Sequence, residues 1–498
     1  MPDACLIHKC CRGARRGVAA RTPFVPVVVG VMLVAMSGCA TVLQQCAAPV
    51  VVEIPAAWSV AEVPMAGSTT SLAEWWLRFN DPTLSDLIAQ AMQANTSVNS
   101  ARASLRQARA LRDVTAAGLW PAVGSSASAQ HSTSGRDNES NSFRAGLDAS
   151  WELDIFGEKR SALAASDATA RASAASLADV QVSIAAEVAL SYITLRGAQA
   201  RLAIAEDNLA SQLETLQITQ WRLQAGLVTS VEAEQARAQA EQTRAQLPTL
   251  QTSIEQTRHA LAVLTGRPPA ALASLLGAAG PVPQAADTLA LGIPAETLRQ
   301  RPDVRAAEHQ VTAALSRVSQ AEAARAPNFR LSGSLGLSAL TLGALTNSAS
   351  VVSAIMASVS MPVFDGGAAR AQVRAQQAAL EQAGVTYQAA VLAALKDVED
   401  ALVALRGERE RLLRLQYAAD AATNAALLAR QRYSSGLVDF QTVLETQRTQ
   451  LNTQDNVAGA RAELGADHVR LYKALGGGWN ADGSEPITSP TESRTSRL

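Results

Sequence analysis

The sequence has few aromatic residues, few cysteines and almost no net charge. Aromatics make up 4% of its 498 residues, although 48% of the chain is hydrophobic, mostly as alanine, leucine and valine. Such a composition favours long helices over a core of large side chains. The formal net charge is -1, which gives no electrostatic reason to expect a nucleic-acid partner.

Residue patterns of known chemistry are also missing. The five histidines are scattered, without the cysteine or glutamate spacing of a metal site. There is no G-x-S-x-G motif and no phosphate-binding glycine loop. We therefore expect neither an enzyme nor a resident metal or cofactor. Cys5, Cys10 and Cys11 precede the cleavage site predicted below, so only Cys39 and Cys46 are left and no disulfide framework is expected.

The N-terminal segment has the pattern of an export signal. Several basic residues precede an apolar run at 25–36, which is shorter than the roughly 20 residues of a membrane-spanning helix. Met36-Ser37-Gly38-Cys39 is similar to a bacterial lipobox. We predict a lipoprotein signal peptide at 1–38, acylation of Cys39 and a lipidated segment at 39–80, with Ala40 implying sorting to the outer membrane. The alternative is a plain cleaved signal followed by an unmodified cysteine.

The rest of the chain repeats one plan. Two proline-free runs of equal length, at 159–225 and 369–435, place apolar residues at three- and four-residue spacings, which predicts two helices of roughly 100 Å each. Each run ends with an arginine and three further residues, and Gly-Leu-Val follows directly. These turn residues are Gly226, Leu227 and Val228 in the first copy and Gly436, Leu437 and Val438 in the second. A shorter helical run then returns, so the chain is predicted to be an internal duplication.

A period-two alternation precedes each long run. Every second residue from Phe143 to Leu153 is apolar, and weaker alternations occupy 331–338 and 351–363. This pattern predicts β-hairpins at about 121–155 and 328–364, each apolar on one face. The aromatic residues at or near the strand ends are Phe143, Trp151, Phe156, Phe329 and Phe364. Transmembrane barrels carry such girdles; a β-sandwich is the alternative interpretation.

The predicted layout is a first repeat at 81–265, a linker at 266–293, a second repeat at 294–476 and a disordered tail at 477–498. Each repeat begins with one helix, which starts at Pro82 or Pro294 and ends near Pro121 or Pro327. Four strands cannot close a barrel, and open edges in lipid would leave backbone groups unpaired. Several chains must therefore pool their strands, eight in a dimer or twelve in a trimer.

The chain resembles the outer-membrane factors of tripartite efflux systems, the TolC-like family, and within it the lipoprotein OprM/NodT-type subclass. The matching motifs include WWLRFNDPTLSDLI at 75–88, SWELDIFG at 150–157, RQRPDVRAAE at 299–308, PVFDGG at 362–367 and LYKALGGGW at 471–479. The resemblance implies a homotrimer with a twelve-stranded barrel in outer-membrane lipid and a long α-helical tunnel in the periplasm. It also implies two partners, a periplasmic adaptor and an inner-membrane pump of the RND type.

The resemblance assigns roles near the two turns. The Gly-Leu-Val segments would form the periplasmic tip and the surface that an adaptor grips. Glu445 matches the acidic residue of the entrance aperture, usually Asp in relatives, while Gln441 and Thr442 match an apolar and a second acidic aperture position. Contacts that hold the tip closed are expected from Tyr433, Asp439 and Arg448. Ordinary helix-ending glycines and solvated helix ends are the alternatives.

The expected function is the exit duct of a tripartite efflux pump, which passively conducts small molecules out of the cell. Three Glu445 side chains would form a like-charged ring that favours cations. The outlet of a type I protein secretion system and a non-conducting envelope scaffold are the alternative functions.

Overall fold

A computed structural model describes residues 54–59, 72–134, 138–285 and 294–479. The chain divides into two units, Met1–Pro49 and Val50–Leu498, and all described residues belong to the second. The predicted signal peptide, Cys39 and the tail beyond Trp479 lie outside the described residues.

The described residues form two repeats with matching elements. The first contains α1 (Pro82–Ala94), α2 (Thr96–Ala117), β1 (Ala122–Ser134), β2 (Asn138–Leu153), α3 (Glu158–Gln224) and α4 (Ser230–Leu264). The second contains α5 (Pro294–Gln300), α6 (Pro302–Ala323), β3 (Asn328–Ala339), β4 (Val351–Ser360), α7 (Ala368–Ser434) and α8 (Phe440–Ala474). Both long helices have 67 residues and both return helices have 35.

The long helices lie one residue before the predicted ranges at each end. Each starts after a glycine with positive φ, Gly157 at 83° and Gly367 at 91°, a conformation that glycine adopts without strain. Buried alanines, among them Ala165, Ala168 and Ala172, let neighbouring helices approach α3 closely. By length and hydropathy α3 is the one helix among the described residues that could also cross a membrane, and 44% of its most apolar window is buried inside the protein.

The prediction of one helix ahead of each hairpin is wrong. Asn95 has extended backbone (φ -60°, ψ 134°), its side chain accepts hydrogen bonds from the amides of Ser97 and Val98, and its Nδ2 donates to the Leu264 carbonyl at 2.9 Å. Arg301 is also extended, and its Nη1 donates to the Ala474 carbonyl at 2.9 Å. Each helix therefore breaks where one residue ties the next helix to the end of a return helix.

A buried aromatic cluster lies near these breaks. Trp75 stacks on Tyr472 with 5.4 Å between ring centroids, and Phe79 meets Tyr472 edge-on at 6.2 Å. The chain after α8 is held here as well, because the amide of Gly478 donates to the Leu72 carbonyl at 2.9 Å and Trp479 Nε1 donates to the Gln300 carbonyl at 3.1 Å. The predicted disordered tail is therefore wrong for 477–479, because Gly478 and Trp479 are bonded to residues distant in sequence and the Gly477 amide donates to the Tyr472 carbonyl at 2.9 Å.

The four strands form one antiparallel sheet in the order β1-β2-β3-β4. Pairing of β2 with β3 joins the repeats, with Leu147 opposite Leu335 and Trp151 opposite Leu331. This register places the apolar alternation of neighbouring strands on one face, where Leu147, Leu335 and Ile355 are exposed. Within the described residues no second sheet covers that face and no strand pairs with the outer edges of β1 and β4. The sandwich interpretation therefore has no partner sheet in the described part of the chain.

Candidate functional site: the two helical turns

The two Gly-Leu-Val turns have the same backbone structure. The Gly226 amide donates to the Leu223 carbonyl at 2.9 Å and the Leu227 amide to the Arg222 carbonyl at 2.8 Å. The equivalent bonds from Gly436 to Tyr433 and from Leu437 to Arg432 measure 3.0 and 2.9 Å. Both glycines have φ of 72°. This is the Schellman motif, in which a left-handed residue satisfies the last carbonyls of a helix.

The residues after each glycine are similarly exposed in the two copies, but they start the return helix differently. Leu227 and Leu437 are both exposed, whereas Val228 and Val438 are partly buried. Asp439 caps α8, accepting hydrogen bonds from the Thr442 hydroxyl at 2.5 Å and the Thr442 amide at 2.9 Å, and these bonds lower the pKa of Asp439. Thr229 occupies the same position before α4 and makes no such side-chain bond.

The two turns are in contact. The guanidinium of Arg222 lies over the ring of Tyr433, 4.7 Å from its centroid, and Arg222 Nη2 donates to the Ser434 carbonyl at 3.3 Å. The Tyr433 ring also contacts Phe440, with 5.4 Å between centroids. A cation over an aromatic face is an attractive arrangement. Tyr433 thus joins the end of α3 to the start of α8.

The remaining predicted residues lie on the first turns of α8. Glu445 and Arg448 are exposed and form a loose ion pair, with 3.8 Å between Arg448 Nη1 and Glu445 Oε2. Arg448 also approaches Gln239 of α4, with 3.5 Å from Nη2 to Oε1. Gln441 is exposed on the first turn of α8. Thr442 is engaged with Asp439, so its hydroxyl serves the helix cap.

Arg222 was missed by reasoning from the sequence. The signal was present, because the same arginine precedes both turns as Arg222 and Arg432. Its contact with Tyr433 joins residues of different repeats, and no local pattern reports such a pairing.

A charged cleft of about 680 Å³ lies far from the turns, between α3, α6, α7 and α8. Arg301 binds Asp303 through Nε and Nη2 at 3.1 and 2.7 Å and reaches Asp397 at 3.1 Å. Burial opposes ionisation of Asp303, but the Arg301 guanidinium outweighs it and lowers the pKa of Asp303. Burial raises the pKa of Asp179, and the nearby charge of Asp303 raises it further.

Within the described residues no group of three or more histidine, cysteine, aspartate or glutamate side chains is placed to hold a metal ion. The charged cleft combines carboxylates with four cations, Arg301, Arg411, Arg470 and Lys473. Its acidic side chains therefore have protein cations as neighbours.

Comparison with known proteins agrees with this architecture. The profile of the family described as Outer membrane efflux protein matches residues 87–267 and 293–477. The pyoverdine export outer membrane protein OpmQ of Pseudomonas putida is 33% identical over 449 residues, covering 86% of this chain and 93% of its own length. The toluene efflux pump outer membrane protein TtgF of the same species is 29% identical over 470 residues, with coverages of 92% and 97%.

A solved structure is similar over nearly its whole length. The outer-membrane channel OprN superposes with a TM-score of 0.81 at 36% sequence identity, covering 86% of this chain and 98% of that chain. The fold described above therefore has a known counterpart over most of its length, and the chain belongs to the outer membrane efflux protein family.

Proposed function

We propose that three copies of this chain form an outer-membrane exit duct, with a twelve-stranded barrel in lipid and a periplasmic tunnel of helices. A periplasmic adaptor and an inner-membrane pump of the RND type would deliver small molecules to it. Relatives named for pyoverdine export and toluene efflux support small-molecule export, and the conduction itself would be passive.

The observation that carries this proposal is a difference between the two long helices. α3 packs extensively against α2, α4, α6 and α8, whereas α7 packs extensively only against α6 and α8 among the described residues. In a duplicated chain each repeat should bury equivalent surfaces. The missing partners of α7 would then be α2 and α4 of a second copy.

Side-chain burial supports the same conclusion. Val385, Leu392 and Val403 of α7 are 64%, 51% and 59% exposed. The equivalent residues of α3 are Ala175, Val182 and Ile193, which are 8%, 3% and 1% exposed. A surface that is covered within the chain in one repeat and bare in the other is expected at an interface between copies. Because this contact is head-to-tail, it closes only as a ring.

The unpaired edges of the sheet also favour an assembly of several copies in the membrane. β1 and β4 have free outer edges among the described residues, and an open edge in lipid would leave its amides and carbonyls unpaired. Pairing β4 of one copy with β1 of the next would continue the order found within the chain. Three copies would supply twelve strands, a number for which the family resemblance is the support.

The paired turns would form the periplasmic entrance. Exposed Leu227 and Leu437 would offer the adaptor an apolar contact, and Glu445 would line the aperture with Gln441 and Thr442 beside it. Tyr433, Asp439 and Arg448 would stabilise the closed form, Tyr433 through its contact with Arg222. Acylation of Cys39 would add a lipid anchor in the outer membrane.

Two measurements test the proposal. Light scattering of the detergent-solubilised chain should give three copies, and planar bilayers containing it should show discrete single-channel currents. A monodisperse monomer, or trimers without conductance, would reject the duct and favour a scaffold. Co-purification of the adaptor with a tagged chain would identify the pump, and a protein-exporting pump would assign the duct to secretion.

A further inference from the structure

The charged cleft between α3, α6, α7 and α8 has the size and the lining of a ligand site. Its volume of about 680 Å³ lies within the range of small-molecule sites. Val182, Pro302 and Ala401 are among its apolar lining residues, and eleven charged side chains also line it. Seven are carboxylates and four are cations, which leaves a formal charge of -3. Apolar surface together with excess negative charge suits an organic cation.

Two of the charged side chains in the cleft have no partner. Neither Asp179 nor Lys473 forms a side-chain hydrogen bond or an ion pair within the described residues. Asp179 is partly buried, and burial raises its pKa, with the nearby charge of Asp303 acting in the same direction. The other nine are bonded to side chains: Arg301 to Asp303 and Asp397, Arg411 to Glu408, Arg470 to Glu463 and Asp467, and Asp400 to Lys396. An unpaired carboxylate in a cleft is a group that a bound cation would stabilise.

The first repeat shows that the fold does not require these charges. Equivalent residues are 210 apart in the long and return helices and 206 apart in α2 and α6, which start at 96 and 302. Nine of the eleven charged residues have an uncharged equivalent, for example Ala389 for Asp179 and Val263 for Lys473. The two exceptions are Asp397 and Arg411, which are equivalent to Glu187 and Arg201. The charges are therefore a property of this cleft and not of the duplicated architecture.

The cleft lies on the inner side of the proposed tunnel wall. Leu471 of α8 shares a buried cluster with Trp58, and Tyr472 stacks on Trp75, whereas Arg470 lines the cleft. Successive residues of a helix point about 100° apart, so the cleft faces away from the segments that contain these two tryptophans. Those segments must cover the outside of a duct, because three copies of them inside would obstruct it. The cleft then opens to the lumen.

We propose that this cleft binds organic cations on their way through the duct, and that Asp179 is the carboxylate that pairs with the positive group of the ligand. Lys473 would compete with the ligand for Asp179, and the apolar lining residues would contact its hydrocarbon part. The inference rests on the proposed function, and it adds a binding site and a chemical class of exported molecule to it.

Binding is measured with ethidium, an aromatic organic cation, by fluorescence anisotropy of the purified full chain in detergent. The wild type should bind one ethidium per chain. Asp179→Asn should weaken binding about tenfold or more, because an ion pair is lost, whereas Lys473→Gln should strengthen it, because a competing cation is removed.

Glu187→Gln is the matched control, since it removes an exposed carboxylate at the equivalent place in the first repeat. It should change the affinity by less than about twofold, because Asp179 is untouched. No saturable binding to the wild type, or equal losses in Asp179→Asn and Glu187→Gln, would overturn the site. Lys473→Gln keeps the test decisive if Asp179→Asn does not fold, because an unchanged or weaker affinity in that variant would also overturn it.

Planar bilayers separate the cleft from the duct. Ethidium should interrupt the single-channel currents of the wild type, and the interruptions should be about tenfold shorter in Asp179→Asn, because weaker binding mainly speeds dissociation. Currents without ethidium binding would reject the cleft and leave the duct standing. Binding without any current would reject the duct, and binding without interruptions would overturn the role of the cleft in export.

Discussion

The exposed apolar residues of α7, Val385, Leu392 and Val403, give the most direct test of assembly. Leu392 lies between the other two and is 51% exposed. Its equivalent on α3, Val182, is 3% exposed. Leu392→Lys should therefore weaken the contact with the next copy, because it places an ammonium group where apolar packing is expected.

The expected loss of association free energy follows from the part of the Leu392 side chain that the interface would still bury. Complete burial of a leucine side chain contributes about 1.5–3 kcal/mol, and half of Leu392 is already covered within the chain, which leaves roughly 1 kcal/mol per interface. The proposed trimer has three such interfaces, so the loss is about 3 kcal/mol, or roughly a hundredfold in the association constant. The lysine charge adds to this loss unless its stem lets it reach water.

The assay is trimer dissociation on dilution, followed by light scattering in mild detergent. Leu413→Lys is the matched control, because Leu413 is 45% exposed on the same helix and its α3 equivalent, Ala203, is also exposed. We expect Leu392→Lys to dissociate at far higher protein concentration than the wild type, and Leu413→Lys to behave like the wild type. Equal effects of both substitutions, or none from Leu392→Lys, would refute the equivalence of the repeats.

Three further results are expected. Glu445→Gln should lower the cation preference of the proposed duct, measured as the reversal potential of planar bilayers with a salt gradient. Arg448→Gln should raise that preference, since the Arg448 guanidinium offsets the Glu445 carboxylate. Unchanged reversal potentials in both variants would reject the aperture assignment. Asp179→Asn should raise the thermal midpoint at pH 7 but not at low pH, because a carboxyl with a raised pKa opposes folding only while ionised; equal gains at both pH values would contradict this. Gly436→Ala should lower stability by about 1 kcal/mol in denaturant titrations, because φ there is 72°; no loss would mean that the turn relaxes.

The long elements could be predicted from the sequence because their signals are local. An uninterrupted helical period without proline is sufficient to place α3 and α7 to within one residue. The strands follow from alternation between Phe143 and Leu153 in the same way. Each of these patterns is repeated in the second copy, which provides an internal check that few chains offer.

The breaks at Asn95 and Arg301 could not be predicted with equal ease. An asparagine before Thr96 and an arginine before Pro302 are compatible with a helix start, but helix propensity alone allows a continuous run through Asn95. The break is stabilised by a bond to the last carbonyl of a return helix, at Leu264 or Ala474. That partner is far away in sequence, so only the folded chain identifies it.

Aromatic residues illustrate the same limit. The five near the strand ends fit the pattern of a girdle, whereas Trp75, Phe79 and Tyr472 form a buried cluster between segments that are distant in sequence. WWLRF at 75–79 and LYKALGGGW at 471–479 were visible as motifs. Their mutual contact depends on the fold, and alternation or helical period carries no information about it.

The two turns explain where duplicated copies are free to differ. Glycine is favoured at both Gly226 and Gly436, because the bonds that end α3 and α7 form with the same positive φ. The helices that support the turns do not need this positive φ, so their residues can differ between the copies. There α3 buries Gln212 where α7 buries Ala422, and Asp439 caps α8 where Thr229 leaves α4 without a side-chain cap. The two copies therefore differ in the residues that support the turns, while the backbone of the turns themselves is the same.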